Sequence, residues 1–364
     1  MLRMTTSART AARASATVQS PTMRGLALSF PPHNVGAEET IAALCQLFPQ
    51  ESPDFISGIV HHSGVENRHL ALPQEQLLAL RGFTERNTAW QKACLEHGGR
   101  AAQSALDQAG ILAKEVDVIV DVSCTGLAIP ALNVDLAANL GMRADALRVP
   151  VTAAGCAGGA LGLGLASQLA AGNKTVLLVA MEMCTLTFVP GDVGRANLVA
   201  GALFGDGAGA VVLGPQGSGP RILGSASHLF PGTRHAMGFE VGAHGLRITL
   251  DRTLPVLLQK GLRPVVDRFL AQHALRATDI GLHLVHTGGR RVLDVYEEIF
   301  ALPPNSLRAS REALRLHGNT SSASVLTVAA EARRMGLRPE IGQHALMVAF
   351  GPGLSVEMLL MEWE

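Results

Sequence analysis

The chain has 364 residues, 48% hydrophobic and 16% charged, with 39 glycines and a formal net charge of zero. A balanced charge excludes the global field that draws nucleic acid or an anionic membrane, and no run of about 20 apolar residues is long enough to span a bilayer. Five cysteines (Cys45, Cys94, Cys124, Cys156, Cys184), odd in number and without paired metal spacing, predict a reducing, cytoplasmic setting and no metal site.

In chain order, residues 1–22 come first. They are rich in Ser, Thr, Ala and Arg, and no acidic residue precedes Glu38. The composition is transit-peptide-like without a secretory apolar core, and we read it as a disordered tail, with Met23 as an alternative start. Beyond it, apolar runs at 116–122, 175–181 and 208–213 predict strands buried on both faces, as do runs at 282–286, 344–349 and 354–360. The chain repeats itself. Leu106-Asp107-Gln108-Ala109 aligns with Leu270-Ala271-Gln272-His273 at an offset of 164, and Gly155-Cys156 with Gly318-Asn319 at 163. Leu203-Phe204-Gly205-Asp206-Gly207 aligns with Ala349-Phe350-Gly351-Pro352-Gly353 at 146. Three ordered matches predict a duplicated α/β unit, with halves at 23–215 and 216–364. Cys156 and Asn319 then open two pseudo-equivalent central helices.

Three glycine-marked turns carry candidate chemistry. Thr152-Ala153-Ala154-Gly155-Cys156-Ala157-Gly158-Gly159 precedes a helix-compatible run to about Ala171, a nucleophile elbow whose helix N-terminus favours thiolate. The alternative is a buried structural cysteine. His286 ends an apolar strand before Gly288-Gly289, and Asn319 precedes Thr320-Ser321-Ser322, where an N-cap is the alternative. Together the three make a nucleophilic-catalysis set. Gly205-Asp206-Gly207-Ala208-Gly209 precedes a strand and opens no helix, so a dinucleotide loop is rejected.

Gly155-Cys156-Ala157-Gly158-Gly159, Ala202-Leu203-Phe204-Gly205-Asp206-Gly207, His286-Thr287-Gly288-Gly289, Gly318-Asn319-Thr320-Ser321-Ser322 and Phe350-Gly351-Pro352-Gly353 occur in an order that resembles the type III polyketide synthases, the chalcone synthase-like family of the thiolase superfamily. The resemblance implies an αβαβα five-layer sandwich. It implies that Cys156 takes an acyl group from an acyl-CoA, that His286 sustains the thiolate, and that His286 with Asn319 stabilises the enolate from malonyl-CoA decarboxylation. Coenzyme A thioesters are then substrates, and no cofactor or nucleic-acid partner is implied. Phe204 matches the gatekeeper position, and Cys124, Thr125, Cys184, Thr187, Phe239, Ile248 and Ser321 match cavity positions. Cys124 reads as a second reactive thiol or a passive wall residue. Plant relatives greet coenzyme A phosphates with lysines that have no match here, and Arg68, Arg290 and Arg291 are the substitutes on offer. A homodimer is implied, with Ile129 of one subunit reaching the partner's cavity and the Ile129-Pro130 bond in cis.

A β-ketoacyl-carrier-protein synthase III is the first rival, disfavoured by His286-Thr287-Gly288-Gly289, since that family carries an Asn close after the histidine. A catalytically silent thiolase-fold binding protein is the second, disfavoured by the intact triad. With one Tyr and two Trp in the chain and Ile248 where plant enzymes have a second gate phenylalanine, an aliphatic starter and an alkylpyrone or alkylresorcinol product are expected. Phe239 argues the other way. Its ring fills space and favours malonyl-CoA as its own starter and a small hydroxynaphthalene product.

Overall fold

A computed structural model describes residues 20–242 and 245–363. Most of the expected tail, residues 1–19, lies outside them. The expectation is corrected at its end: strand β1 (Thr22–Ser29) begins at Thr22, which is 3% exposed and pairs with Gly214 and Arg221. The chain then forms strand β2 (His33–Gly36), helices α1 (Ala37–Leu47) and α2 (Pro53–Ser63), strand β3 (Asn67–Leu70), and helices α3 (Gln74–Ala79) and α4 (Gly82–Ala109). Strand β4 (Val118–Ser123), helix α5 (Asn133–Leu140), strand β5 (Leu147–Thr152), helix α6 (Gly158–Leu169), strand β6 (Val176–Met183), helix α7 (Arg195–Leu203) and strand β7 (Asp206–Gly214) follow. After them come strand β8 (Arg221–Leu229), strands β9 (Met237–Gly242) and β10 (Gly245–Leu250), helix α8 (Leu254–Ala271) and strand β11 (Ile280–Val285). Helices α9 (Arg290–Phe300), α10 (Arg308–His317) and α11 (Ser324–Arg334) lead to strands β12 (His344–Gly351) and β13 (Ser355–Glu362).

Nine strands form one sheet in the order β11-β12-β13-β8-β1-β7-β6-β4-β5. Its two halves mirror each other. In one, β4 runs parallel to β6 and β6 antiparallel to β7; in the other, β11 runs parallel to β12 and β12 antiparallel to β13. The halves join where Thr22 of β1 meets Arg221 of β8. β4, β6 and β7 are buried along their whole length, which is why their sequences are continuous apolar runs instead of alternating ones.

Helices α6 and α11 make the middle layer. α6 touches β4 and β6 of one half-sheet and β8, β12 and β13 of the other; α11 touches β1 and β7 as well as β11 and β12. α4 covers the outer face of β1, β6 and β7, while α8 and α9 pack their apolar sides, including Leu258, Leu262 and Tyr296, into a core with Leu346 and Val348. The resulting order is helix, sheet, helix, sheet, helix, the αβαβα sandwich. Gly159 lets the two central helices approach: a Cβ built there lies 2.0 Å from the Ser322 carbonyl oxygen.

Candidate active site

The turn before α6 is tight and crowded. Ala153 (φ 61°) and Gly155 (φ 54°) both take left-handed backbone, costly for the alanine, and residues 155–157 form a 3₁₀ turn ahead of the helix. A Cβ on Gly155 would sit 2.4 Å from the Pro352 ring, so the loop after β12 presses the turn from the other half of the molecule. Small residues surround Cys156 because two halves of the fold converge there. Cys156 itself is 8% exposed.

Asn319 comes to the same place from the second half. Its backbone N–H donates to the Leu203 carbonyl (2.9 Å), and its carbonyl accepts from the Gly205 N–H (3.1 Å), which sets it beside Phe204. The side-chain oxygen accepts from the Ser321 backbone N–H (2.8 Å) and the Ser324 hydroxyl (3.2 Å). A backbone N–H can only donate, so the atom facing it is oxygen and the amide nitrogen is left as the donor. The Asn319 and Ser321 side chains lie close enough to the Cys156 thiol to favour its thiolate. The Asn319 oxygen closes a local turn with Ser321, while Thr320 and Ala323 stand at the cap positions, so the N-cap alternative does not hold.

The electrostatics correct one expectation. Burial pushes the Cys156 thiol up to about 11, and the nearby Glu182 charge adds to the rise. The Ser321 and Asn319 side chains act in the opposite sense and offset only part of the rise. The helix N-terminus does not win, because desolvation of a buried thiolate outweighs it. His286 continues the ladder of β11 by donating its backbone N–H to the Val348 carbonyl (2.9 Å). Its ring is 2% exposed, Nδ1 is buried without a partner, and burial alone draws the imidazole down to about 3. Burial thus opposes the charged form of each group taken by itself.

Cys124, Thr125, Cys184, Thr187, Phe204, Phe239, Ile248 and Ser321 all line one cavity of about 470 Å³ with Cys156. Phe239 and Ile248 stand directly opposite each other on the ribbon formed by β9 and β10. The Cys124 sulfur lies 3.3 Å from the Ser321 hydroxyl, and burial raises its thiol well above the usual range. A second cavity of about 640 Å³ shares Cys184, Thr187, Phe204 and Ile248 with the first. It extends under α1, α3 and α7, where Leu44, Leu47, Leu77 and Phe188 line it.

Arg68 is drawn inward, to the second cavity, where Nη1 donates to the Phe204 carbonyl (3.0 Å). Arg290 and Arg291 open α9 on the exposed surface, and Arg291 pairs with Glu298 at 2.8 Å. Ile129 is 91% exposed, and the Ile129-Pro130 bond is cis.

Glu182 escaped the sequence reading. It is fully buried in β6, and its carboxylate accepts from the Ser322 hydroxyl (2.5 Å), the Thr125 hydroxyl (2.7 Å), the Cys124 N–H (3.1 Å) and the Ser123 hydroxyl (3.3 Å). It fastens the Cys124 turn of one half to the Asn319 turn of the other. A single acid inside Val176-Leu177-Leu178-Val179-Ala180-Met181-Glu182-Met183 was the available signal, since a buried carboxylate needs partners. Among the described residues no cluster of His, Cys, Asp and Glu is arranged to hold a metal ion, and no helix is long and apolar enough to cross a membrane.

Such a site has a buried thiol on a cavity wall, the Asn319 and Ser321 side chains beside it, and the buried His286 imidazole next to Thr287, whose hydroxyl meets Gly318 and Ser324 around Asn319; groups of these kinds can form a thioester and steady an enolate oxygen. The comparisons agree with that chemistry. Residues 59–217 match the model of the N-terminal domain of chalcone and stilbene synthases, and residues 221–363 match its C-terminal domain. The chain is 40% identical over 346 residues to a 1,3,6,8-tetrahydroxynaphthalene synthase of Streptomyces peucetius, covering 92% of this chain and 91% of that one. A phloroglucinol synthase of Pseudomonas fluorescens is 28% identical, with 92% and 97% covered. The crystal structure of a Streptomyces coelicolor 1,3,6,8-tetrahydroxynaphthalene synthase, a bacterial type III polyketide synthase, superposes with a TM-score of 0.90 at 31% identity, with 94% and 99% covered.

Proposed function

The chain belongs to the chalcone and stilbene synthase family and is a type III polyketide synthase, an acyltransferase, and from that premise we propose that malonyl-CoA both primes and extends its chain toward a small hydroxylated naphthalene. Full-length similarity to relatives named tetrahydroxynaphthalene synthase carries this reading. The Phe239 ring supports it, because it occupies space in the Cys156 cavity that a bulky starter would need.

In the proposed reaction the Cys156 sulfur attacks the starter thioester and coenzyme A leaves. His286 takes the thiol proton. Burial holds each group neutral alone, so the charged pair forms only where mutual attraction at low dielectric offsets the burial of both. A second malonyl-CoA then loses carbon dioxide, and the Asn319 amide with the imidazole donates to the enolate oxygen. The enolate attacks the Cys156 thioester and frees the sulfur for the next round. Coenzyme A thioesters are the substrates, and the proposal invokes no further cofactor. We also propose a homodimer: Leu127, Ile129, Val134 and Leu147 are exposed apolar side chains around the edge strand β5, a patch that a second copy would bury.

An aliphatic acyl-CoA starter is the second reading, favoured by the leucine-lined second cavity. Incubation with malonyl-CoA alone, against malonyl-CoA plus C6–C16 acyl-CoAs, separates the two. A naphthalene-class product from malonyl-CoA alone is expected; product only with an added acyl starter would refute malonyl priming.

A further inference from the structure

The second cavity holds one feature that an aliphatic lining does not explain. Arg68 projects from β3 into it among Leu44, Leu47, Leu77 and Phe188. A guanidinium carries five N–H donors. Here Nη1 is used by the Phe204 carbonyl, while Nε is buried without a partner. Asp206 is the acidic group that acts on it, but the Asp206 carboxylate already accepts from the Ala71 N–H (2.6 Å), the Thr185 N–H (2.8 Å) and the Thr185 hydroxyl (2.5 Å). Burial draws Arg68 down to about 10, so it stays charged at neutral pH. A cation facing an apolar cavity without a carboxylate on its fork is costly, and a planar bidentate anion is its natural complement.

We propose that the second cavity is a carboxylate subsite, in which Arg68 holds the free terminal carboxylate of the growing malonyl-primed chain. The inference rests on the malonyl-primed reading above. Its chemistry follows from the starter. When the Cys156 sulfur attacks the thioester carbon of malonyl-CoA, the carbon–sulfur bond to coenzyme A breaks and the thiol of coenzyme A leaves with a proton. The second carboxylate is untouched. Each extender loses its own carboxylate as carbon dioxide, its electron pair forms the new carbon–carbon bond, and the bond to Cys156 breaks. The starter carboxylate therefore stays at the distal end and moves two carbons further from the sulfur with each round. Phe204, Cys184, Thr187 and Ile248, common to both cavities, stand where that end crosses. An acyl starter would end in a methyl group instead and would have no use for the guanidinium.

The test compares wild type, Arg68→Gln and Arg68→Lys with malonyl-CoA alone and with hexanoyl-CoA plus malonyl-CoA, products being resolved by mass. Glutamine keeps a donor for the Phe204 carbonyl but loses the charge. Arg68→Gln is expected to lower the malonyl-primed product relative to the hexanoyl-primed one by about tenfold or more, the scale of one charge-assisted hydrogen bond, with partial rescue in Arg68→Lys. Equal loss or equal retention of both products in Arg68→Gln overturns the subsite. Absence of malonyl-only product in wild type is a different failure, and it removes the priming reading itself. A second measurement needs no variant: octanoate, but not 1-octanol, should inhibit the malonyl-only reaction of wild type. Equal effects of the two would also overturn the assignment.

Discussion

Replacing Gly159 with alanine adds one methyl group at the point where the two halves of the fold touch. The new Cβ would lie 2.0 Å from the Ser322 carbonyl oxygen and 2.9 Å from Val325 Cγ2. Reaching 3.0 Å, the closest approach real Cβ atoms make, requires the helices to part by about 1 Å at the oxygen, and a misplacement of that size costs catalysis about 100-fold. The clashing atom is a backbone carbonyl oxygen, in the turn Ser321–Ala323 that follows Asn319, so the clash cannot be relieved by rotating a side chain. Overpacking costs about 1–3 kcal/mol, of which the better helix propensity of alanine returns up to about 1 kcal/mol. Gly99 in α4 is the internal control, because a Cβ there meets nothing within 4 Å. Gly99→Ala should be neutral or stabilising by up to about 1 kcal/mol with full activity. Product formation from malonyl-CoA and thermal unfolding of both variants provide the assay. If Gly159→Ala keeps activity within about twofold of wild type and unfolds at the same temperature, the argument that this contact positions Asn319 against Cys156 is wrong.

Asn319→Ala should slow malonyl-CoA decarboxylation by about 100- to 1,000-fold, with less effect on starter loading, as followed by carbon dioxide release and intact mass; near-normal decarboxylation would remove the amide from the mechanism. Cys156→Ala should show no acyl adduct by intact mass, and an adduct at wild-type level would place the nucleophile elsewhere. Because the resting Cys156 thiol is pushed up to about 11, its alkylation by iodoacetamide in the free enzyme should keep rising with pH beyond 9, the thiolate fraction growing tenfold per unit below that value. A plateau below pH 8 would instead reveal a preformed thiolate–imidazolium pair. Light scattering at micromolar concentration should report a dimer, and Ile129→Asp should weaken it, since a charge would enter the buried patch; a monomeric wild type contradicts the interface.

Much of this protein was legible in one dimension. Strands buried on both faces need continuous apolar runs, and all six expected runs overlap β4, β6, β7, β11, β12 and β13. The offsets linking Cys156 to Asn319 and Phe204 to Phe350 report a duplicated unit, and the fold carries them onto paired central helices and mirrored half-sheets. Turn chemistry is local, so the glycines around Cys156, His286 and Asn319 could be read without a partner in view. Whether a thiol is acidic is not local. Cys156 at a helix start looks activated from its neighbours in sequence, yet burial and the Glu182 charge reverse the sign. Glu182, silent as a letter in an apolar strand, gathers Thr125 and Ser322 from distant parts of the chain, and Arg68 turns inward to a cavity whose walls come from α1, α3 and α7. Desolvation and charge act through space on whatever the fold brings near, and that neighbourhood exists only once the two halves have closed on each other.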